Sequence, residues 1–366
     1  VTAAGPTAGA SDYSTLYVGD PAPWFRQRCI GQAELFSFDM VAGRFVVLCF
    51  YGSASDKASQ EALASVRANR ALFDHGKLGF FGVSTDEADF SNADLFPAPG
   101  LRHFADHYGA VSRAYGVAPR TGALDTRCLR RFWYVLDPRL RVVGVFPLDA
   151  QGNAAAMRFL RALPTPAAYF GEAHVPVLMI PDVFEKDMCD RLIAHYQASG
   201  GADSPILTEG TTLTNHDFKR RRDCRIGDSA LAEQAISRIF RRVAPEIRHA
   251  FQFHATRLER LIIACYDAAE QGLFGPHRDN TVASTAHRRF AVSINLNDDF
   301  DGGSISFPEY GPRAFRPPTG GALVFSCSML HAVAPMTLGR RYACLPFMYD
   351  EAAGALRQVD RKKVLF

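Results

Sequence analysis

Residues 44–51 (RFVVLCFY) are apolar at almost every position, the pattern of a strand buried on both faces. A helical pattern follows over about 57–73, with Ala62, Leu63, Val66 and Leu72 on one side. A second buried strand, LGFFGVSTD, runs to Asp86. Residues 104–115 read as an amphipathic stretch, and FWYVLD (132–137) and VVGVFPL (142–148) as two strands turned by residues 138–141. A last helix is predicted over about 153–163. Strand, helix, strand, helix, hairpin and helix in this order predict an α/β sandwich with a mixed sheet.

The pattern then changes. LPTPAAYFGEAHVP (163–176) carries three prolines and suits a linker. Beyond it PVLMIP reads as a strand, and VFEKDMCDRLIAHYQ as an amphipathic helix with Met188, Leu192, Ile193 and Tyr196 on one side. After a polar region come short strand-like runs: LERLIIACYD, RRFAVSINLN, GGSISFPEY, GALVFSCSM and RYACLPFMY. Short strands broken by Gly, Pro and Asp clusters predict an antiparallel double-stranded β-helix, or jelly roll, with flanking helices. The expected organisation is a flexible N-terminus (1–14), an α/β domain (15–165), a linker (166–175) and a jelly-roll domain (176–366).

A length of 366 residues supports two cores. The composition, 48% hydrophobic and 22% charged, is that of a soluble globular protein, and a net charge of +3 gives no long-range field for nucleic acid or anionic lipid. Neither partner is expected. The first fourteen residues lack the basic start and apolar stretch of a signal peptide. Eight cysteines stand singly, with no C-x-x-C pair, and Cys49 and Cys265 fall inside apolar runs, so a reducing, cytoplasmic setting is expected. The chain opens on Val1 rather than methionine, which leaves the nature of this terminus open.

His277 and Asp279 form a His-x-Asp whose side chains project to one face of an extended segment and so can grip one ion. By itself such a triplet is more often surface hydrogen bonding. Downstream, His331 follows the strand GALVFSCSM, whose end a jelly roll can bring beside the His-x-Asp turn. Two imidazoles and one carboxylate leave adjacent coordination positions open, the facial set of non-haem iron(II) oxygenases, whereas a closed structural zinc site would need a fourth ligand. Arg341, ten residues on, is placed to bind a carboxylate through paired hydrogen bonds.

These residues resemble the prolyl-4-hydroxylase-like branch of the 2-oxoglutarate oxygenases. The resemblance spans about 170–350 and rests on GPHRD with Pro276, NLNDDFDGGSISF with Gly302 and Gly303, and SCSMLHAVAPMTLGRR with Pro335, Gly339 and Arg341. It implies that His277, Asp279 and His331 hold Fe(II) and that Arg341 pairs with the distal carboxylate of 2-oxoglutarate, with Arg340 the fallback. Tyr266 is similar to a tyrosine beside the cosubstrate, although two extra residues precede His277; a half-buried strand aromatic is the alternative. Phe274 stands where many relatives have a second tyrosine. Asp279 is a carboxylate where related halogenases carry a small residue, which favours hydroxylation. The implied reaction consumes 2-oxoglutarate and O2, with ascorbate as a reductant, releases succinate and CO2, and hydroxylates a C–H of a peptidyl side chain or an amino-acid-like metabolite.

The N-terminal part, about 15–165, resembles the peroxiredoxin branch of the thioredoxin fold through VGDPAPWF, GVSTD, YGV and FWYVLDPRLRVVGV. In the loop YGSASDKASQE, Ser59 occupies the place of the peroxide-attacking cysteine, and a serine hydroxyl neither ionises usefully there nor forms a sulfenic acid. The implied roles are scaffold, docking surface or homodimer contact. Cys29 and Cys128 are the remaining redox candidates, read as structural.

Of the other polar residues, KRRRDCR (219–225) reads as a solvated basic face, or else as the mouth for an anionic substrate. His287, Arg288 and Arg289 are further candidates for that mouth. His216 and His254 have no partner at ligand spacing and read as surface or core histidines. Two other functions stay open: a thiol-dependent redox protein built on the N-terminal domain, and a non-catalytic binding module.

Overall fold

The computed structural model describes residues 12–74, 76–171, 174–207, 212–227 and 229–356. The expected flexible N-terminus lies outside them over residues 1–11. The chain divides into two compact units, residues 1–173 with Glu309–Gly311, and His174–Pro308 with Pro312–Phe366. Among the described residues no helix is long and apolar enough to cross a membrane.

The first unit is mixed α/β. Its five-stranded sheet runs in the order Leu101–Ala105, Leu78–Ser84, Phe45–Gly52, Phe132–Leu136, Val142–Pro147. The first two pairings are parallel and the last two antiparallel. Phe45–Gly52 sits in the middle and is buried throughout, as its unbroken apolar run demands. Helix Lys57–Ala68 is capped by Asp56, which accepts from the amides of Ala58 and Ser59, and it buries Ala62, Leu63 and Val66. Helix Ala150–Ala162 adds Ala156, Met157 and Leu160 to the same core.

Three expectations change here. The amphipathic stretch at 104–115 is instead strand Leu101–Ala105 followed by the short helix Ala110–Ala114. The carboxylate of Asp106 accepts from the amides of Val111 and Ser112, so the helix starts after it. The first helix ends at Ala68, where Asn69 turns its amide back onto Ser65 and Val66. Within the predicted linker, Pro166–Phe170 is helical because Thr165 caps it and Pro166 occupies its first position.

The second unit holds two antiparallel sheets of interest to function. The larger runs Arg257–Glu259, Phe347–Tyr349, Phe290–Asn295, Arg340–Cys344, Ile262–Asp267, Arg222–Arg225, Ala202–Asp203, with Ala322–Ser326 pairing along Phe290–Asn295 and Leu178–Ile180 beyond it. The smaller runs Lys219–Arg220, Leu273–His277, His331–Val333, Ile305–Ser306, Ala314–Phe315. The predicted helix is Lys186–Ser199. The polar region after it also contains helices Ser229–Arg242 and Ala244–Phe251, which the sequence reading left unassigned. Their apolar stripe has Leu231, Ala235, Ile239, Val243 and Ile247 at every fourth position, with Phe240 and Ala244 packed beside it, and it joins the core formed by Met188, Leu192, Ile263 and Val292.

Candidate metal centre

Strand pairing brings two distant histidines together. Leu273–His277 lies antiparallel to His331–Val333 with His277 opposite His331, after a register shift between Phe274 and His277. His331 therefore opens a strand of its own. Asp279 stands two residues past His277, and its amide donates to the carbonyl of Cys327 at 2.9 Å. The three side chains converge: His277 Nε2 lies 3.6 Å from Asp279 Oδ1, His331 Nε2 lies 3.4 Å from Asp279 Oδ2, and one ligand atom from each falls within 4.8 Å of the others. Among the described residues this is the single cluster of three or more His, Cys, Asp or Glu able to hold a metal.

The outer nitrogens fit this role. His277 Nδ1 is 2.8 Å from the carbonyl of Gly275 and His331 Nδ1 is 3.0 Å from that of Met329. A carbonyl only accepts, so each Nδ1 carries the proton and each Nε2 presents a lone pair inward, the arrangement that orients metal-bound imidazoles. Burial, reinforced by the His331 ring, holds the His277 imidazole well below its usual range, so it is neutral. Phe274 stacks on His277 at 3.5 Å between ring centroids, and Phe325 meets His331 edge-on at 4.6 Å. The donor set of two imidazoles and one carboxylate, walled by aromatic rings, fits a divalent first-row metal.

The centre opens into a pocket of about 490 Å³, its mouth included. Arg341, opposite Tyr266 in the larger sheet, is buried in its wall; Arg340 points outward and pairs with Asp267 at 2.6 Å. Arg341 Nε donates to Asn295 Oδ1 at 3.0 Å and Nη2 to Ser293 Oγ at 2.8 Å. Among the described residues no carboxylate pairs with it, and burial pulls its guanidinium down to about 10. Its stem is seated against Gly303, at φ +62°, where a Cβ would come within 3.0 Å of Arg341 Cδ and 2.6 Å of Met336 Sδ. Tyr266 is fully buried, with the Arg341 guanidinium carbon 5.4 Å from its ring centroid and Arg221 Nη1 donating to its hydroxyl at 3.3 Å. The half-buried alternative is thus replaced by a position in the pocket wall.

The basic run is not a solvated face. Strand alternation turns Lys219 and Arg221 inward, with Arg221 on Asp223 at 2.7 Å, and leaves Arg222 outside. Burial pushes the Lys219 ammonium down to about 6, while its Nζ donates to Ser204 Oγ and the carbonyl of Pro205. His287 and Arg288 are not at the mouth either: both are buried on Glu259, His287 Nε2 at 3.0 Å and Arg288 Nε at 2.7 Å. Arg289 donates to the carbonyl of Ala286 at 2.8 Å. His216 and His254 are exposed. The sequence reading passed over Ser293, Asn295 and Arg260, although alternation within VSINLN marks the first two as sharing a face.

In the first unit Ser59 is fully buried at the start of helix Lys57–Ala68, its hydroxyl donating to the carbonyl of Tyr51 at 2.7 Å. All eight cysteines are free thiols, and Cys128 is the exposed one. Burial pushes the Cys29 thiol up to about 11.

No family model matches the chain. A PKHD-type hydroxylase of Xanthomonas axonopodis pv. citri is 26% identical over 202 residues, 52% of this chain and 84% of that protein. The chain spans about half the length (49%) of the Synechococcus relatives of the same name that it matches. Among solved structures, a Pseudomonas putida prolyl-4-hydroxylase is 16% identical, with a TM-score of 0.39 over 50% of this chain and 97% of its own. The bacterioferritin comigratory protein of Xanthomonas campestris is 21% identical, with a TM-score of 0.32 over 38% of this chain and 90% of its own. The resemblance to hydroxylases of the prolyl-4-hydroxylase-like branch read from the motifs thus recurs in relatives named PKHD-type hydroxylases. A hydroxylase is an oxidoreductase, and that is the class of chemistry to which the resemblance points.

Proposed function

We propose that the second unit is a double-stranded β-helix oxygenase dependent on Fe(II) and 2-oxoglutarate, hydroxylating an unactivated C–H of a peptidyl side chain or an amino-acid-like molecule. The observation that carries this reading is the convergence of His277, Asp279 and His331 with ligand atoms within 4.8 Å at the foot of a pocket. These three would hold the metal, and three ligands leave room on the same ion for cosubstrate and O2. Bound together, iron and 2-oxoglutarate supply the oxidising power for C–H hydroxylation, with succinate and CO2 as coproducts.

The chain's own residues orient and exclude water. Arg341, unpaired with any acid among the described residues, offers its remaining donors to the distal carboxylate of 2-oxoglutarate, with Ser293 and Asn295 fixing the plane of the fork. Tyr266 keeps Arg341 and Arg221 apart on one ring, at 5.4 and 5.7 Å from its centroid. Phe274 and Phe325 hold the two imidazoles against rotation. The thiol-redox alternative loses two of its candidates, since Ser59 is buried and burial keeps the Cys29 thiol protonated, and it rests on the exposed Cys128 alone. In this reading the first unit carries no peroxidase chemistry. The test is succinate formation from 2-oxoglutarate with Fe(II) and ascorbate; His277→Ala should abolish both iron binding and turnover, and unchanged turnover would refute the site.

A further inference from the structure

Arg221, Arg260 and Arg341 all line the pocket, at different depths. Arg341 is buried, the Arg221 side chain is 4% exposed, and that of Arg260 is 31% exposed. One acid serves the outer two. Asp223 accepts from Arg221 Nε at 2.7 Å and Nη2 at 2.8 Å, from Arg260 Nη2 at 2.9 Å and from Ser204 Oγ at 2.6 Å. A single carboxylate facing two guanidinium groups leaves one positive charge over. Arg221 commits its donors to Asp223, Ser204 and Tyr266. Arg260 bonds through Nη2 alone; its Nε and Nη1 have no hydrogen-bond partner among the described residues.

The reaction's other components do not neutralise this charge. A divalent metal on Asp279 is net +1, Arg341 adds +1, and the two carboxylates of 2-oxoglutarate cancel both. What remains is the positive charge shared by Arg221, Arg260 and Asp223, in surroundings too poorly solvated to leave it uncompensated without cost. Its neighbours are aromatic: the Arg260 guanidinium lies 5.9 Å from the Phe347 ring and that of Arg221 lies 5.7 Å from Phe274. Arg260 also has φ +59°, a conformation that glycine takes freely and an arginine only under strain. The chain accepts that strain where this guanidinium meets the pocket.

Resting on the oxygenase reading above, we infer that the substrate carries a carboxylate beside an apolar body and that Arg260 receives it. Arg260 is a substrate-binding residue, and Asp223 and Arg221 position its guanidinium. A substrate carboxylate would replace water on the Arg260 donors that Asp223 leaves open, which is why an acid is preferred over its neutral counterpart.

The test uses the full chain, anaerobic, with Mn(II) and saturating 2-oxoglutarate, titrated with N-acetyl-phenylalanine and with its carboxamide. The acid should bind at least about tenfold more tightly than the amide, as loss of a charge-assisted hydrogen bond implies. Arg260→Gln should erase that preference, Arg260→Lys should keep part of it, and Arg340→Gln should leave it unchanged. Equal binding of acid and amide, no binding of either, or a preference that survives Arg260→Gln overturns the inference. Mn(II) and 2-oxoglutarate binding are read separately by electron paramagnetic resonance. Should those fail, the oxygenase reading falls, and the acid–amide comparison on the metal-free chain still decides the anion site.

Discussion

Replacing Arg341 with methionine is expected to cost the ligand-free protein little stability while making it blind to 2-oxoglutarate. Arg341 is 1% exposed and meets no acid among the described residues, and burial pulls its guanidinium to about 10. A base whose folded value lies below its unfolded one weakens the fold while charged. Here that penalty is complete at neutral pH and fades only as pH rises above about 10. The gap from an ordinary arginine corresponds to roughly 3 kcal/mol. Methionine fills similar volume but leaves Asn295 and Ser293 without their donor, at about 1–3 kcal/mol each. The two effects oppose one another and leave the ligand-free stability within about 3 kcal/mol of the parent. In the parent protein with Mn(II), 2-oxoglutarate at a hundredfold excess over Kd should add about 2.7 kcal/mol; in Arg341→Met it should add nothing. Thermal unfolding of both proteins, with and without 2-oxoglutarate, reads the two effects together. Equal stabilisation of both by 2-oxoglutarate, or a ligand-free variant weaker by several kcal/mol, would refute the reasoning.

Lys219, pushed down to about 6 by burial, penalises the fold increasingly as pH falls from the ordinary lysine range toward 6. The stability advantage of Lys219→Met over the parent should therefore grow by up to about 1.4 kcal/mol per pH unit between pH 9 and 6 and level off below, in urea unfolding. Gly303→Ala should weaken 2-oxoglutarate binding by calorimetry, since its Cβ would displace the Arg341 stem at 3.0 Å and strain a residue at φ +62°. Ser59→Cys should not create rapid peroxide consumption, because the site is fully buried and the Asp56 carboxylate lies 3.5 Å from the side-chain oxygen, both of which disfavour a thiolate. Fast consumption in a peroxide assay would show that the first unit keeps a working peroxidase frame.

Strands such as Phe45–Gly52 and Phe290–Asn295 were legible because continuous apolar runs leave no amphipathic alternative, whereas the short polar strands Lys219–Arg220 and Arg222–Arg225 were not; His277, Asp279 and His331 stood out because their spacing belongs to an ordered set of motifs. Alternation lets only one of Arg340 and Arg341 point inward, the resemblance's spacing from Gly339 favours Arg341, and the structure turns Arg341 inward. Sequence misjudged features set by tertiary context. KRRRDCR looks like a solvated face until pairing with Ile262–Asp267 and Leu273–His277 buries Lys219, Arg221 and Cys224. Helices Ser229–Arg242 and Ala244–Phe251 do carry an apolar stripe, with Phe240 and Ala244 packed beside Leu231, Ala235, Ile239, Val243 and Ile247, but it lies between arginines in a stretch read as polar. Arg260 has no local pattern at all; its meaning comes from Asp223, thirty-seven residues away in sequence.

The most direct test is an anaerobic titration of the full chain with Fe(II) in the presence of 2-oxoglutarate, followed by visible absorption. The account predicts a metal-to-ligand charge-transfer band that saturates at a single iron per chain and vanishes in His331→Ala while the fold, by circular dichroism, is kept. A band of equal intensity in His331→Ala, or none in the parent protein, would contradict it.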